Sequence, residues 1–204
     1  VIKAVIFDMG GVILRTMDRT TRTALAGRFG LSCDDLEMFV FGNDTAAQAT
    51  VGTIPEEAHW QAVGAHFGLD EKQMVQFQME FWQGDAIDQE LRYFIDSLRP
   101  RQHTALLSNA FGNARAMLTR SFPGTLEVFD TVIFSAEVGL AKPDPRIYHL
   151  VLDKVQVQPG EAIFVDDVRA NIEAANAVGI HGIRFQNSQQ AMKDVIDRIQ
   201  YEQN

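Results

Sequence analysis

The stretch Val5-Ile6-Phe7-Asp8-Met9-Gly10-Gly11-Val12 decides how the rest of the chain is read. It is a short apolar strand that ends in a carboxylate followed at once by two glycines. Open α/β folds hold their ligands at this carboxyl edge of the sheet, and glycines there let the backbone approach whatever binds the aspartate. Residues 1–7 are mostly β-branched or aromatic, interrupted only by Lys3 and Ala4, which suits a strand buried on both faces. The pattern recurs twice. Ala162-Ile163-Phe164-Val165-Asp166-Asp167 ends in carboxylates, and Thr104-Ala105-Leu106-Leu107-Ser108-Asn109 ends in a hydroxyl and an amide.

From about Arg15 the periodicity becomes helical. Leu25, Phe29 and Leu31 mark one apolar stripe, and Leu36, Phe39 and Val40 mark a second behind a cap at Ser32. Pro55-Glu56-Glu57 opens a third helix, with proline in its first turn and Trp60, Val63 and Phe67 on its apolar side. Met74, Phe77, Phe81 and Trp82 mark a fourth, ended by Gly84. Residues 15–85 therefore form a helical block without strand signals. Strand and helix then alternate: a helix over 88–98, the strand ending at 109, a helix over 112–120, and a short strand over 131–134. A helix over 144–153, the strand 162–165, a helix over 169–178 ended by Gly179, a strand over 181–185 and a final helix over 188–201 complete the chain. Such alternation predicts an α/β fold with a parallel sheet and helices on both faces. The helical block interrupts it after the first strand, so we assign residues 1–14 and 86–204 to the core and 15–85 to an inserted small cap.

The chain has 204 residues and a net charge of −9, from 18 Lys and Arg against 27 Asp and Glu. This balance argues against nucleic-acid partners and against an anionic membrane surface. It leaves room for a small phosphorylated molecule, which needs positive charge only locally. Cys33 is the single cysteine, so no internal disulfide forms, in keeping with a reducing compartment. No apolar run reaches spanning length, and the sequence enters a strand without a signal-peptide pattern. The expectation is a cytoplasmic protein, monomeric or homodimeric.

Each strand-end residue has two readings. Asp8 caps a turn, or it is a nucleophile or metal ligand. Ser108-Asn109 caps the next helix, or it donates hydrogen bonds to phosphate oxygens. Lys142, in Gly139-Leu140-Ala141-Lys142-Pro143-Asp144-Pro145, is a solvated surface group, or a cation held on a proline-stiffened loop to neutralise an anion. Asp166-Asp167 repel one another unless a cation or donor offsets the charge. With Asn171 they form either a helix cap or a hard-oxygen site of the kind that suits Mg²⁺. In the insert, Phe39, Phe41, Trp60, Phe77, Phe81 and Trp82 have the spacing of a small-lobe core. Asp44, His59 and His66 carry no site assignment there, and both histidines read as surface or packing residues.

Taken in order, these motifs resemble those of the haloacid dehalogenase superfamily of hydrolases over nearly the whole chain. Asp8 corresponds to the first motif, Ser108 to the second, Lys142 to the third, and Asp166-Asp167 with Asn171 to the fourth. The stretches Lys142-Pro143-Asp144-Pro145-Arg146-Ile147-Tyr148 and Asp166-Asp167-Val168-Arg169-Ala170-Asn171-Ile172-Glu173 are similar to the branch that holds α-glucose-1-phosphate phosphatase and the amino-terminal phosphatase of soluble epoxide hydrolase. The resemblance implies a Rossmann-like core with a helical cap inserted after the first strand. It implies a Mg²⁺-dependent phosphatase in which Asp8 attacks phosphorus and an aspartyl-phosphate forms. In that scheme Asp8, the Gly10 carbonyl and Asp167 ligate the metal, with Asp166 as a neighbouring ligand. Ser108, the Asn109 backbone and Lys142 hold the phosphoryl oxygens.

One position departs from the pattern. Most phosphatases of the superfamily carry an acid–base aspartate two residues after the nucleophile, where this chain has Gly10. General acid–base catalysis is worth ~10²–10⁴-fold, so the expected substrates have good leaving groups: sugar-1-phosphates, acyl phosphates or aryl phosphates. Two other readings stay open. A 2-haloacid dehalogenase uses the same aspartate on carbon without metal, but the pattern there is Asp-x-Tyr-Gly, and the acidic pair is missing. A phosphate-ligand binding protein without turnover rests on Gly10 alone.

Overall fold

Val5, Ile6 and Phe7 are fully buried, as a central strand covered on both faces must be. The computed structural model describes residues 1–201. Its strands are β1 (Ala4–Phe7), β2 (Leu14–Thr16), β3 (Asp85–Ile87), β4 (His103–Ser108), β5 (Thr131–Phe134), β6 (Ala162–Asp166) and β7 (His181–Arg184). Five of them form a parallel sheet in the order β5-β4-β1-β6-β7. Phe7 pairs with Leu106 on one side and Val165 on the other. Asp8 therefore lies level with Asp166 and one residue short of Ser108, at the sheet's carboxyl edge. The strand-end motifs, distant in sequence, converge because β1 runs between β4 and β6.

Five helices separate β2 from β3: α1 (Thr20–Arg28), α2 (Cys33–Gly42), α3 (Asp44–Thr50), α4 (Glu56–Phe67) and α5 (Glu71–Trp82). Ser32 caps α2 in a reciprocal box with Asp35, and Asp70 does the same for α5 with Gln73. Leu25, Leu36, Val40, Trp60, Val63, Phe77 and Phe81 fill a core of their own. The apolar stripes point to four helices here, and α3 is the additional one. It is short and buries only Ala46 and Ala49, so it lacks a large apolar stripe; its legible signal is Asn43, whose side chain accepts from Ala46 N. Pro55 sits at the cap position of α4, one residue before its first turn.

The two connections of this block pair with each other as an antiparallel ribbon, β2 with β3. Periodicity does not reveal it, because each strand is three residues long and largely half-buried. Arg22 locks the ribbon to the helices. Its guanidinium donates to Thr16 Oγ1, Glu37 Oε1, Asp85 Oδ1 and the Phe81 carbonyl, all within 2.9 Å. Gly84 completes the crossing: with φ +95°, a β-carbon there would lie 2.0 Å from the Asp18 carbonyl oxygen.

Beyond the ribbon follow α6 (Gln89–Leu98), α7 (Ala114–Ser121), α8 (Ser135–Val138), α9 (Pro145–Val155), α10 (Arg169–Val178) and α11 (Ser188–Tyr201). Alternate residues of the sheet feed two apolar layers. Val5, Phe7, Leu106 and Val165 pack with Leu91 and Ile95 of α6 and Val195 of α11. Ala4, Ile6, Leu107 and Phe164 pack with Ile147 and Val151 of α9 and Ala175 of α10. α7 starts at Ala114, with Asn113 at its cap position, so Ser108-Asn109 is not its cap.

Candidate active site

Lys142 is the hub of the sheet edge. Its Nζ lies 2.8 Å from Asp8 Oδ1 and 2.7 Å from Asp166 Oδ2, with both pairs buried. Asp166 is fully buried, and both its oxygens are spoken for. Oδ1 accepts from Val168 N and Asn171 Nδ2; Oδ2 accepts from Lys142 and the same Asn171 amide. A buried charge is stable only with such partners. Asn171 is held in turn, its carbonyl accepting from the Tyr148 hydroxyl. Asp8 takes both of its donors on Oδ1, from Lys142 and from Met9 N at 2.7 Å.

The side chain of Asn109 is engaged within the protein. Its amide clasps the main chain of Lys142, donating to the carbonyl and accepting from the N–H, both at 2.8 Å. The lysine loop is thereby fixed against the end of β4. Ser108 ends β4, buried beside this clasp.

Asp167 is half-buried and approaches the glycine pair. A β-carbon on Gly11, at φ +78°, would lie 2.3 Å from Asp167 Oδ2. Gly10 differs: it is exposed, and a β-carbon there would meet nothing within 4 Å. Only the second glycine is imposed by the fold.

Three carboxylates face one lysine. Asp8, Asp166 and Asp167 each offer an oxygen, and these oxygens lie within 4.8 Å of one another. Burial raises the Asp8 carboxyl above its usual range; Lys142 opposes the rise and Asp166 adds to it. Burial and the neighbouring Asp166 also raise Asp167. The surplus of negative charge fits a divalent cation with oxygen ligands. Since the oxygens of Asp166 already accept from protein donors, Asp8 and Asp167 are the carboxylates with capacity to spare.

His59 is buried, not on the surface, and stands against Phe111, with ring centroids 4.8 Å apart. His66 packs against Phe39 in a tilted pair, with ring centroids 4.3 Å apart. Contacts between helical block and core gather here. Ser135 Oγ donates to the Thr50 carbonyl, and Glu56 and Glu57 accept from Asn113 N and Nδ2.

The haloacid dehalogenase-like hydrolase family model matches residues 2–179, and the chain belongs to this family of hydrolases. A sesquiterpene phosphatase of Aspergillus oryzae is 30% identical over 199 residues, covering 91% of each chain. Mouse acyl-CoA dehydrogenase family member 10 is 40% identical over 93 residues, 45% of this chain but only 8% of that protein. Among solved structures, a haloacid dehalogenase-family enzyme of Bacteroides thetaiotaomicron, in complex with magnesium and inorganic phosphate, superposes with a TM-score of 0.75. It is 22% identical, over 91% of this chain and 95% of that one, and shares the fold.

Proposed function

We propose that the protein is a Mg²⁺-dependent phosphohydrolase of small phosphate monoesters, acting through an aspartyl-phosphate on Asp8. The observation that carries this reading is the Lys142 ammonium between Asp8 and Asp166 at the sheet edge, with Asp167 alongside. An Asp8 oxygen forms the bond to phosphorus as the ester oxygen leaves with its electron pair; water then cleaves the acyl phosphate and releases inorganic phosphate. Lys142, Ser108 and the Asn109 backbone bind the phosphoryl oxygens, and the Asn109 side chain positions Lys142. Catalysis of this kind is mostly alignment and charge neutralisation. Asp8, Asp167 and the Gly10 carbonyl would hold the metal, with Asp166 kept as the anchor of Lys142. When bound, the cation would supply neutralisation of negative charge. The sesquiterpene phosphatase that matches over nearly the whole chain supports phosphate-ester chemistry.

Gly10 offers no proton to the leaving oxygen, so esters of acidic leaving groups are the better substrates. Phosphate release from para-nitrophenyl phosphate, with Mg²⁺ and with EDTA, beside an Asp8→Asn control, tests the reading. Release that needs both the metal and Asp8 supports it. Chloride release from 2-chloropropionate without metal, and no phosphate release, would replace it with the dehalogenase reading.

A further inference from the structure

Phe111 lies three residues beyond Ser108, yet its ring joins the helical block. Its centroid is 4.8 Å from His59, 6.4 Å from Trp60 and 6.1 Å from Phe41. Phe41, in the last turn of α2, is 48% exposed although it touches Phe81 and Trp82 at 5.6 and 5.8 Å. Trp82 is the last residue of α5 and half-buried; three residues on, β3 begins and pairs with β2, which starts four residues after Gly10. Through Phe111 the cluster is joined to the loop that follows Ser108, and through Trp82 to the ribbon that leads back to Gly10. A single exposed aromatic needs no explanation. An exposed aromatic continuous with the loop that follows Ser108 is different, because that loop borders the reacting centre.

Apart from His59 Nε2, which is itself buried out of a ligand's reach, the polar groups named around these rings are already engaged. Glu56 accepts from Trp60 Nε1 and Asn113 N, and Glu57 from Asn113 Nδ2. Thr45 Oγ1 bonds Asn43 and His59. A polyhydroxylated ligand pressed against this wall would lose hydrogen bonds to water and regain few, whereas an apolar one gains by leaving water.

We propose that Phe41, Trp82 and Phe111 form the leaving-group wall, and that the substrate is a phosphate monoester of an apolar, aromatic or unsaturated hydrocarbon alcohol. The proposal rests on the phosphohydrolase reading and names the substrate class of that site. It sets aside the sugar-1-phosphates that leaving-group acidity alone would admit.

The experiment compares kcat/KM for benzyl phosphate and glycerol 3-phosphate in the presence of Mg²⁺. Both are primary-alcohol esters, so leaving-group acidity does not favour the benzyl ester. Wild-type protein should prefer benzyl phosphate by about tenfold or more, the effect of roughly two methylene equivalents leaving water. Phe41→Gln should cut that ratio by roughly tenfold, and Phe41→Leu should keep most of it. A ratio near one, or a preference for glycerol 3-phosphate, overturns the wall while leaving the phosphohydrolase reading intact. Release from neither ester while para-nitrophenyl phosphate is still cleaved overturns the wall alone; release from none of the three overturns both. The wild-type ratio decides the matter even if a variant fails to fold.

Discussion

Gly11 and Asp167 compete for one space: a β-carbon on Gly11 would lie 2.3 Å from Oδ2 and 2.7 Å from Cγ of Asp167. The backbone at Gly11 also has φ +78°, a region that costs an L-residue about 1–2 kcal/mol. Gly11→Ala should therefore move the Asp167 carboxylate out of the site. We expect kcat/KM on para-nitrophenyl phosphate to fall by about 100-fold and the Mg²⁺ concentration for half-activity to rise. Activity within threefold of wild type would show that Asp167 has no part in the reaction.

The neighbouring glycine predicts the opposite. Gly10 has open space where a side chain would begin. Gly10→Asp should fold with little change in thermal midpoint and place a carboxyl beside the nucleophile. With a general acid available, hydrolysis of simple alkyl phosphates should rise by about tenfold or more, within the ~10²–10⁴-fold range of such catalysis. The gain should shrink for aryl phosphates, whose leaving oxygen needs less protonation. Comparing the two substrate series across both proteins checks this; an equal change in both would show that the new carboxyl acts only through charge.

The contrast between the two glycines also shows where sequence reading reaches and where it stops. Strands ending in Asp8, Ser108 and Asp166 were legible because each is a run of buried apolar residues closed by a polar one. Their meeting at one edge followed from parallel alternation. What each glycine does was not legible, since the close approach to Asp167 is a contact between distant segments. Sequence alone does not say what the Asn109 side chain holds, because its amide binds the main chain of Lys142, 33 residues away. Asp166 and Asp167 look equivalent in sequence, yet alternation turns one into the buried layer and leaves the other half-buried at the mouth. The β2–β3 ribbon and α3 escaped because neither carries enough large apolar residues to set a period.

The Asn109 clasp can be tested directly. Asn109→Ala removes both hydrogen bonds to the Lys142 main chain, a stability loss of about 1–3 kcal/mol at ordinary hydrogen-bond values. The ammonium would then be less firmly placed, and misplacement by about 1 Å can cost roughly 100-fold. We expect kcat to fall by about 10–100-fold with a smaller rise in KM. Asn109→Asp keeps the acceptor for Lys142 N and loses the donor, so it should fall between. A stability loss with unchanged kcat would make the clasp purely structural.

His59 carries a pH prediction for the fold. Its Nδ1 lies 2.8 Å from Thr45 Oγ1, whose proton goes to Asn43 Oδ1, so Nδ1 is the protonated nitrogen and donates. The buried Nε2 has no partner among the described residues. Burial lowers the imidazole pKa below its ordinary value. The unfolded chain, with a histidine pKa of about 6.5, then binds the proton more readily than the folded one. Stability should fall as pH drops below the unfolded value and until the lowered folded value is passed. The raised carboxyls of Asp8 and Asp167 act with the opposite sign, losing stability as pH rises, so the comparison must be between variants. His59→Phe keeps a ring beside Phe111 and leaves the Thr45 hydroxyl bonded to Asn43. Urea midpoints at pH 7.5, 6.5 and 5.5 should show wild type losing stability relative to His59→Phe as acidity increases. A difference that stays constant across the three values would mean that His59 takes up its proton equally in the folded and unfolded chain.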